Sequence, residues 1–251
     1  MKFFCVHSLP LDELWFNRVM DILYLDEQII VVNKPAGLSV LPEGWEPDAP
    51  YLVKMLEEEY GNPSSPLEGP AGSGQQIWVV HRLDKITSGV IAFARTADAH
   101  RELNRQFERH EVEKVYHAVV EGNPPWEEKI CKMHLRANVG HKHRTALDHK
   151  RGKPAETHFK VLKRNQTQTL LEARPLTGRT HQIRAHLYGL GIPLLGDVLY
   201  GAPETERIAR PALHALSLAL THPKSDERVV YSAPYPEDMR RLMDRLNLSM
   251  G

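Results

Sequence analysis

Residues 81–89 read His-Arg-Leu-Asp-Lys-Ile-Thr-Ser-Gly and place one carboxylate among cations and hydroxyl groups. The carboxylate is Asp84, and Arg82 lies two residues before it. A nearby cation favours the ionised form of a carboxylic acid, and an ionised carboxylate can act as a nucleophile or stabilise a charged intermediate. A polar turn with a local salt bridge contains the same residue types, so the composition of this stretch leaves both interpretations open.

Apolar runs on both sides of this stretch predict two strands that hold it. Residues 77–80 precede the polar stretch and residues 90–94 follow it. Rigid elements fix the ends of a loop while its middle can face a ligand. We therefore predict that Asp84 lies on a short, well-held loop.

Other patterns predict an α+β protein. Strands are expected at 22–24, 29–32 and 115–120, and as a hairpin at 157–162 and 169–173. Helices are expected at 97–113, with Thr96 or Asp98 as the N-cap, and at 180–190, where Gly189 and Gly191 end the helix. Because strands and helices alternate without regular βαβ units, a mixed sheet is favoured over a doubly wound fold.

Composition argues against several classes of protein. The chain has 251 residues, of which 41% are hydrophobic and 25% charged, and this is ordinary for a globular domain. Its two cysteines, Cys5 and Cys131, argue against a disulfide framework or a thiolate zinc site. No apolar run approaches the ~18 residues that span a bilayer, and no signal peptide is evident, so we expect a cytoplasmic protein without a membrane partner.

Charge is balanced overall but concentrated locally. The chain has 32 basic and 32 acidic residues, yet residues 129–164 contain eleven lysines and arginines against Asp148 and Glu156, a net charge of +9. A basic surface of this kind suits a phosphate backbone, although a solvated charged loop would also account for it. We predict that this basic segment is partly loop.

One catalytic domain is predicted, because the chain shows neither repeats nor a convincing linker. Residues 1–21 are expected to form an N-terminal extension with a short docked helix that includes Leu14 and Trp15. Residues 22–251 are expected to form the catalytic domain, with a mobile loop at 61–76 that is rich in Pro, Gly and Ser.

Four separated segments together resemble the RluA-type pseudouridine synthases. They are Val-Val-Asn-Lys-Pro-Ala-Gly-Leu at 31–38, the 81–89 stretch, Lys-Val-Tyr at 114–116, and Thr-Gly-Arg-Thr-His-Gln-Ile-Arg-Ala-His at 177–186. Two further pieces at 193–201 and 213–223 support them. The six pieces keep the order and spacing of the family over most of the chain, which makes the resemblance highly specific.

The resemblance implies a pseudouridine synthase catalytic fold with a largely antiparallel central sheet and flanking helices and loops. It implies that specific uridines in structured RNA, ribosomal or transfer, are isomerised to pseudouridine. The N1–C1′ bond breaks, the uracil turns, and C5 bonds to C1′, which requires no cofactor. Because the first strand is predicted near residue 22, we expect no separate N-terminal RNA-binding domain of the kind that many family members carry. A monomer without an obligatory protein partner is expected.

The resemblance also implies roles for individual residues. Asp84 matches the essential aspartate of the family. The resemblance leaves two reaction mechanisms open for it, one through a covalent intermediate and one through a glycal intermediate. Tyr116 matches the active-site tyrosine, whose ring can stack on the target base and whose hydroxyl can assist a proton transfer. Arg184 matches the basic residue that pairs with the aspartate. Without the resemblance, Tyr116 would be interpreted as a core aromatic and Arg184 as a surface cation.

A second group of residues is expected to contact the RNA. Arg82 matches an arginine that enters the space left by the flipped nucleotide, and Ile183 matches an apolar residue against the base. Lys34 and the basic segment are candidate phosphate contacts, although Lys34 also fits a turn. The remaining candidates are His181, Arg179 and Thr87, and the Thr87 hydroxyl can instead bond the backbone of its own loop.

Two rival interpretations come from other classes. A metal-dependent hydrolase is suggested by 14 histidines, but His181 and His186 lie five residues apart instead of four, and the pair His141 and His143 suits a polar loop. No metal is therefore expected. The second rival is a non-catalytic RNA-binding protein on the same fold, against which the retained Asp84, Tyr116 and Arg184 argue.

Overall fold

The computed structural model describes residues 21–44, 49–60, 76–140 and 144–250. The expected N-terminal helix, nearly all of the expected loop at 61–76, and the pair His141 and His143 lie outside these residues. None of the described helices is long and apolar enough to cross a membrane.

An eleven-stranded sheet forms the centre of the described structure. Its strands are β1 (Asp21–Leu25), β2 (Ile29–Lys34), β3 (Trp78–Val79), β4 (Ser88–Ala94), β5 (Glu113–Glu121), β6 (Glu128–Val139), β7 (Arg144–Leu147), β8 (Lys153–Arg164), β9 (Gln168–Pro175), β10 (Leu213–Thr221) and β11 (Arg228–Ser232). The order is β1-β2-β4-β10-β5-β9-β8-β6-β7, with β3 beside β4 and β11 beside β10. Among these eleven strands only β4 and β10 pair in parallel, so the predicted mixed, largely antiparallel α+β sheet is confirmed.

Four α-helices lie against the sheet in the part of the chain that the structure describes. They are α1 (Leu52–Tyr60), α2 (Ala97–Glu108), α3 (Gln182–Gly189) and α4 (Glu237–Arg245), with a 3-10 turn at Val198–Tyr200. Thr96 caps α2 as expected, because its Oγ1 accepts a hydrogen bond from the Ala99 N–H. The helix ends earlier than predicted, since His110 takes a left-handed φ of 58° that reverses the chain before β5.

Most of the described basic segment is strand, and the expected loop is found at residues 148–152, between two of its strands. Its residues form β6, β7 and β8, in which buried Cys131, Leu135 and Phe159 alternate with outward-facing polar side chains. The charged residues hid this apolar alternation in the sequence. Several cations pair with acids across the strands, as Lys132 does with Glu156 at 3.0 Å.

The sheet separates distinct apolar clusters. On one face, α3 packs its Ile183 and Leu187 against Ala118, Phe159 and Ala173. A second cluster forms where α4 packs its Met239, Leu242 and Met243 against Val119 and Leu170. The β1–β4 half of the sheet carries a third cluster, with α1 and α2. The loop that follows β3 leads into β4 at the junction between this half and β10.

Gly89 allows β4 and β10 to pair in parallel at this junction. It lies opposite Ala215, has a φ of +118°, and a Cβ in its place would overlap the Ala215 carbonyl oxygen. Both the backbone conformation and the close approach therefore require glycine.

We expect Gly89→Ala to lower the free energy of unfolding by about 4 kcal/mol or more, because a backbone clash adds to the strain of a positive φ. Gly37→Ala is the matched control. Gly37 also has a positive φ, +91°, but a Cβ there meets nothing within 4 Å. This control should cost only about 1–3 kcal/mol. Urea denaturation of both variants measures the difference, and equal losses would contradict the assigned close approach.

Candidate active site

The Asp84 loop, residues 80–87, joins β3 to β4 and is held at both ends by histidines. His81 Nε2 accepts a hydrogen bond from the Ala92 N–H at 3.0 Å, and its ring stacks on Phe107 at 4.7 Å. Desolvation lowers the pKa of His81 to about 3, so this ring stays neutral. At the other end, Ser88 Oγ hydrogen-bonds buried His214 Nδ1 at 3.0 Å. The loop therefore has little freedom to move relative to the sheet.

Lys34 binds the backbone of the Asp84 loop through its buried ammonium group. Its ammonium donates to the carbonyl oxygens of Pro35 and Leu38 at 2.8 Å and of Lys85 at 3.0 Å, and the residue is 0% exposed. Desolvation lowers the pKa of Lys34 to about 7, while the charge of Asp84 opposes this shift. The expectation that Lys34 contacts phosphate is wrong, because its ammonium is buried and saturated with carbonyl acceptors.

A second buried cation contacts the neighbouring peptide of the loop. Arg210 Nη1 donates to the carbonyl oxygens of Ile86 at 3.4 Å and Leu213 at 3.0 Å. Its Nε and Nη2 form a two-pronged ion pair with Asp238 on α4 at 2.7 and 3.0 Å. The two peptide carbonyls that follow Asp84 in the loop, those of Lys85 and Ile86, are thus each bound by a cation.

The Asp84 carboxylate faces two groups of the 177–186 motif. Arg184 Nη1 lies 3.7 Å and His181 Nε2 lies 3.8 Å from Asp84 Oδ2. The Asp84 side chain is 23% exposed, so one side of the carboxylate remains open. Desolvation lowers the pKa of His181, which favours its neutral form beside the acid.

Arg184 is held in place by Asp197, which the sequence interpretation did not assign. Its Nε and Nη2 donate to the two Asp197 carboxylate oxygens at 2.7 and 2.8 Å, and both side chains are buried. The ring of Tyr200 lies 4.8 Å from the guanidinium carbon, and the Tyr200 hydroxyl lies 3.1 Å from His181 Nδ1. Asp197 and Tyr200 belong to the 193–201 piece of the family resemblance. That piece was the feature of the sequence from which their place in the site could have been predicted.

Tyr116 lies on β5 between Ala173 of β9 and Ala215 of β10. Small residues on both neighbouring strands leave room for its ring at the sheet surface. Desolvation, and then the charge of Asp84, raise the pKa of the Tyr116 phenol well above its usual value. The hydroxyl therefore stays protonated at neutral pH and is available as a hydrogen-bond donor.

These side chains line one cleft of about 560 Å³. Of the residues singled out from the sequence, the cleft is lined by Arg82, Asp84, Thr87, Tyr116, Arg179, His181, Ile183 and Arg184. Lys34 is not among its lining residues. A volume of this size accommodates a nucleotide-sized ligand. The segments 81–89, 114–116 and 177–186 are therefore brought together at one place.

The described residues contain no group of three or more His, Cys, Asp or Glu side chains placed to hold a metal ion. His181 and His186 do not converge. The Nδ1 of His181 lies near Tyr200, while the Nδ1 of His186 pairs with Thr157 at 2.9 Å in the interior.

Comparison with known proteins identifies the family. The family model described as RNA pseudouridylate synthase matches residues 28–188, a range that contains Asp84, Tyr116 and Arg184. The chain belongs to this family. The synthase is 36% identical over 238 residues to ribosomal large subunit pseudouridine synthase D of Zymomonas mobilis, covering 92% of this chain and 74% of that protein. It is 37% identical over 215 residues to the dual-specificity RNA pseudouridine synthase RluA of Escherichia coli K12, covering 85% of this chain and 92% of RluA.

A solved structure supports the fold. Human RNA pseudouridylate synthase domain containing 4 superposes with a TM-score of 0.71 at 24% identity, covering 94% of this chain and 95% of that one. The resemblance predicted from the sequence is confirmed, and the protein is an RNA pseudouridine synthase, an isomerase. The individual roles of the site residues stay predictions.

The depressed pKa of Lys34 predicts a pH-dependent stability. Its folded pKa of about 7 lies below the ordinary value, so the unfolded chain binds more protons between these values. The free energy of unfolding therefore rises with pH from 7 to 10 in the wild type, by up to about 1.4 kcal/mol per pH unit from this group. Lys34→Met should remove this contribution, and Lys54→Met, at an exposed lysine, should retain it. Parallel curves for wild type and Lys34→Met in urea unfolding would refute the assignment.

We expect Asp197→Asn to destabilise the synthase by about 3–5 kcal/mol, because it removes the only carboxylate that is hydrogen-bonded to the buried Arg184 guanidinium within the described residues. Asp98→Asn is the matched control, since Asp98 pairs with Arg101 in an exposed ion pair. The control should change the free energy of unfolding by less than about 1 kcal/mol. Chemical denaturation measures both values, and a loss at Asp197 as small as that of the control would contradict the role of this pair.

Proposed function

We propose that the synthase converts specific uridines of structured ribosomal or transfer RNA to pseudouridine, with Asp84 acting on a flipped-out nucleotide. The observation that carries this proposal is the Asp84 carboxylate, which lines the cleft, is partly exposed and lies 3.7 Å from Arg184 Nη1. The name of the Zymomonas relative supports ribosomal RNA as a substrate class, and the name of RluA, a dual-specificity RNA enzyme, supports more than one kind of RNA.

The reaction asks for an ionised carboxylate aimed at the nucleoside. The N1–C1′ bond breaks and the C5–C1′ bond forms, while a proton leaves C5 and one is gained at N1. Atoms and electrons balance within the uridine, so no redox partner is needed. In either route Asp84 meets positive charge developing at the sugar, as a nucleophile at C1′ or as the base that accepts a proton from the ribose.

Other residues of the cleft are assigned to holding the nucleotide. Tyr116 presents its ring and a protonated hydroxyl to the base, and Ile183 offers an apolar surface. Arg82 is exposed at the edge of the cleft and is assigned to the space that the flipped nucleotide leaves in the RNA. Arg179, His181 and Thr87 are proposed as further RNA contacts.

The surface of the catalytic domain itself is proposed to select the RNA substrate. Several cations of the basic segment form no ion pair within the described residues. They include Lys129, Arg144, Lys150, Arg151 and Lys153. Strand β7 approaches the site, because the Thr145 N–H donates to the Tyr200 hydroxyl at 2.8 Å. These cations can therefore bind backbone phosphates of the RNA that surrounds the target.

We expect Asp84→Asn to reduce pseudouridine formation at least ~10³-fold, because the amide carries no charge and cannot act as nucleophile or base. RNA affinity should change less than about threefold, since phosphate contacts dominate binding. Single-turnover assays and filter binding measure the two quantities, with Asp98→Asn as the control that should leave both unchanged. Full activity of Asp84→Asn would sink the proposal, and absence of activity in the wild type on all cellular RNA would favour the non-catalytic rival.

The target uridine is identified by mapping pseudouridines across the transcriptome with and without the gene. We expect one or a few sites to disappear from ribosomal or transfer RNA and to return with the wild-type gene. They should not return with the Asp84→Asn gene. Sites lost only from messenger RNA would contradict the proposed substrate class.

A further inference from the structure

Part of the cleft wall comes from the end of α2 and the start of β5. We call it the α2 wall, and its residues are Asn104, Phe107, Glu108, His110 and Lys114. All of them except Lys114 lie outside the segments that carry the family resemblance. Within the wall, the Phe107 ring stacks on the ring of His81 in the Asp84 loop. The α2 wall is therefore rigidly connected to the loop that bears Asp84.

Lys114 is the cation of this wall. It lines the cleft and is half-buried, and its ammonium makes no hydrogen bond or ion pair with any residue in the described parts of the chain. Of the other cations near Asp84, Arg184 is engaged with Asp197 and Lys85 with Glu43 at 2.8 Å, whereas Arg82 is exposed to solvent. An ammonium group that loses water without gaining a partner is unfavourable, so an anionic ligand would stabilise it.

The groups around Lys114 do not supply that anion. His81 is neutral, with a pKa of about 3, and His110 is exposed. Glu108 is exposed at the outer end of the wall and lies beyond ion-pair distance of Lys114. Desolvation lowers the pKa of Lys114 to about 8, which leaves the ammonium mostly charged at neutral pH.

Strand geometry fixes where the anion would lie. Lys114 and Tyr116 are two residues apart on β5, so their side chains project from the same face, with their Cα atoms about 6.6–6.8 Å apart. A nucleotide whose base contacts Tyr116 carries a phosphodiester on each side of its ribose. A flexible lysine that is two residues away is suited to one of these groups as a point charge.

We propose that Lys114 binds one of the two phosphate groups that link the target uridine to its neighbouring nucleotides. This inference rests on the proposed function, because it takes the uridine to lie at Tyr116 and Asp84. It adds an RNA contact on the α2 wall, which is separate in sequence from the basic segment and shares the cleft with the 177–186 motif.

The test uses the catalytically blocked Asp84→Asn protein, with and without Lys114→Met, and a synthetic stem-loop RNA that contains the mapped uridine. Lys114→Met should weaken binding about three- to tenfold and reduce the slope of log affinity against log salt by about 0.7–0.9, the loss of one phosphate contact. Lys114→Arg retains the charge and should retain the slope. Lys54→Met, at an exposed lysine on α1, should change neither quantity.

A second arm identifies the phosphate. A methylphosphonate, which removes one charge, is placed on either side of the uridine in turn. At one of the two positions it should weaken binding to the protein that retains Lys114 and have no further effect on the Lys114→Met variant. An unchanged salt slope in Lys114→Met, or equal losses from the methylphosphonate in both proteins, would overturn the proposal. Failure of the proposed function is distinguishable, because the wild-type protein would then form no pseudouridine in the mapped RNA.

Discussion

The buried guanidinium of Arg184 is the interaction on which the site depends. Two of its nitrogens are bound by Asp197, and the third lies toward Asp84. A buried cation needs a counter-charge and satisfied hydrogen bonds, and Asp197 provides both. Asp197 fixes the orientation of the guanidinium plane. Arg184 therefore faces Asp84 at 3.7 Å without forming a direct hydrogen-bonded ion pair with it. When both carboxylates are ionised the trio carries one net negative charge, which suits a sugar that becomes positive during bond cleavage.

The backbone of the Asp84 loop is controlled from the opposite side. Lys34 binds the carbonyl of Lys85 and Arg210 binds the carbonyl of Ile86, and each comes from a different part of the chain. Fixing two consecutive peptide groups fixes the direction of the Asp84 side chain more firmly than packing alone. The site therefore uses cations in two ways. Buried ones orient the loop, and exposed ones such as Arg82 lie at the edge of the cleft, where we propose that they contact RNA.

The sequence predicted the parts of this arrangement that local patterns encode. Strands β1, β2 and β5, the Thr96 cap and the co-location of Asp84, Tyr116 and Arg184 follow from alternation, capping chemistry and the family resemblance. The full length of strands β6 and β8 was missed because their solvent-facing positions carry most of the charge, which masked the buried alternate residues. The burial of Lys34 and the Arg184–Asp197 pair could not be derived, since both depend on contacts between separate segments of the chain.

The parallel pairing of β4 with β10 has a consequence for the synthesis of the protein. Ser88 and His214 hydrogen-bond across this junction although 126 residues separate them. Because chains emerge from the ribosome N-terminus first, the Asp84 loop leaves the exit tunnel long before the strand and the Arg210 that hold it. The edge of β4 that pairs with β10 stays unpaired until β10 has been synthesised. Contacts between residues so far apart in the sequence also form slowly. Catalytic competence is therefore among the last properties that the growing chain acquires, and a nascent synthase cannot act on RNA while it is still being translated through β10.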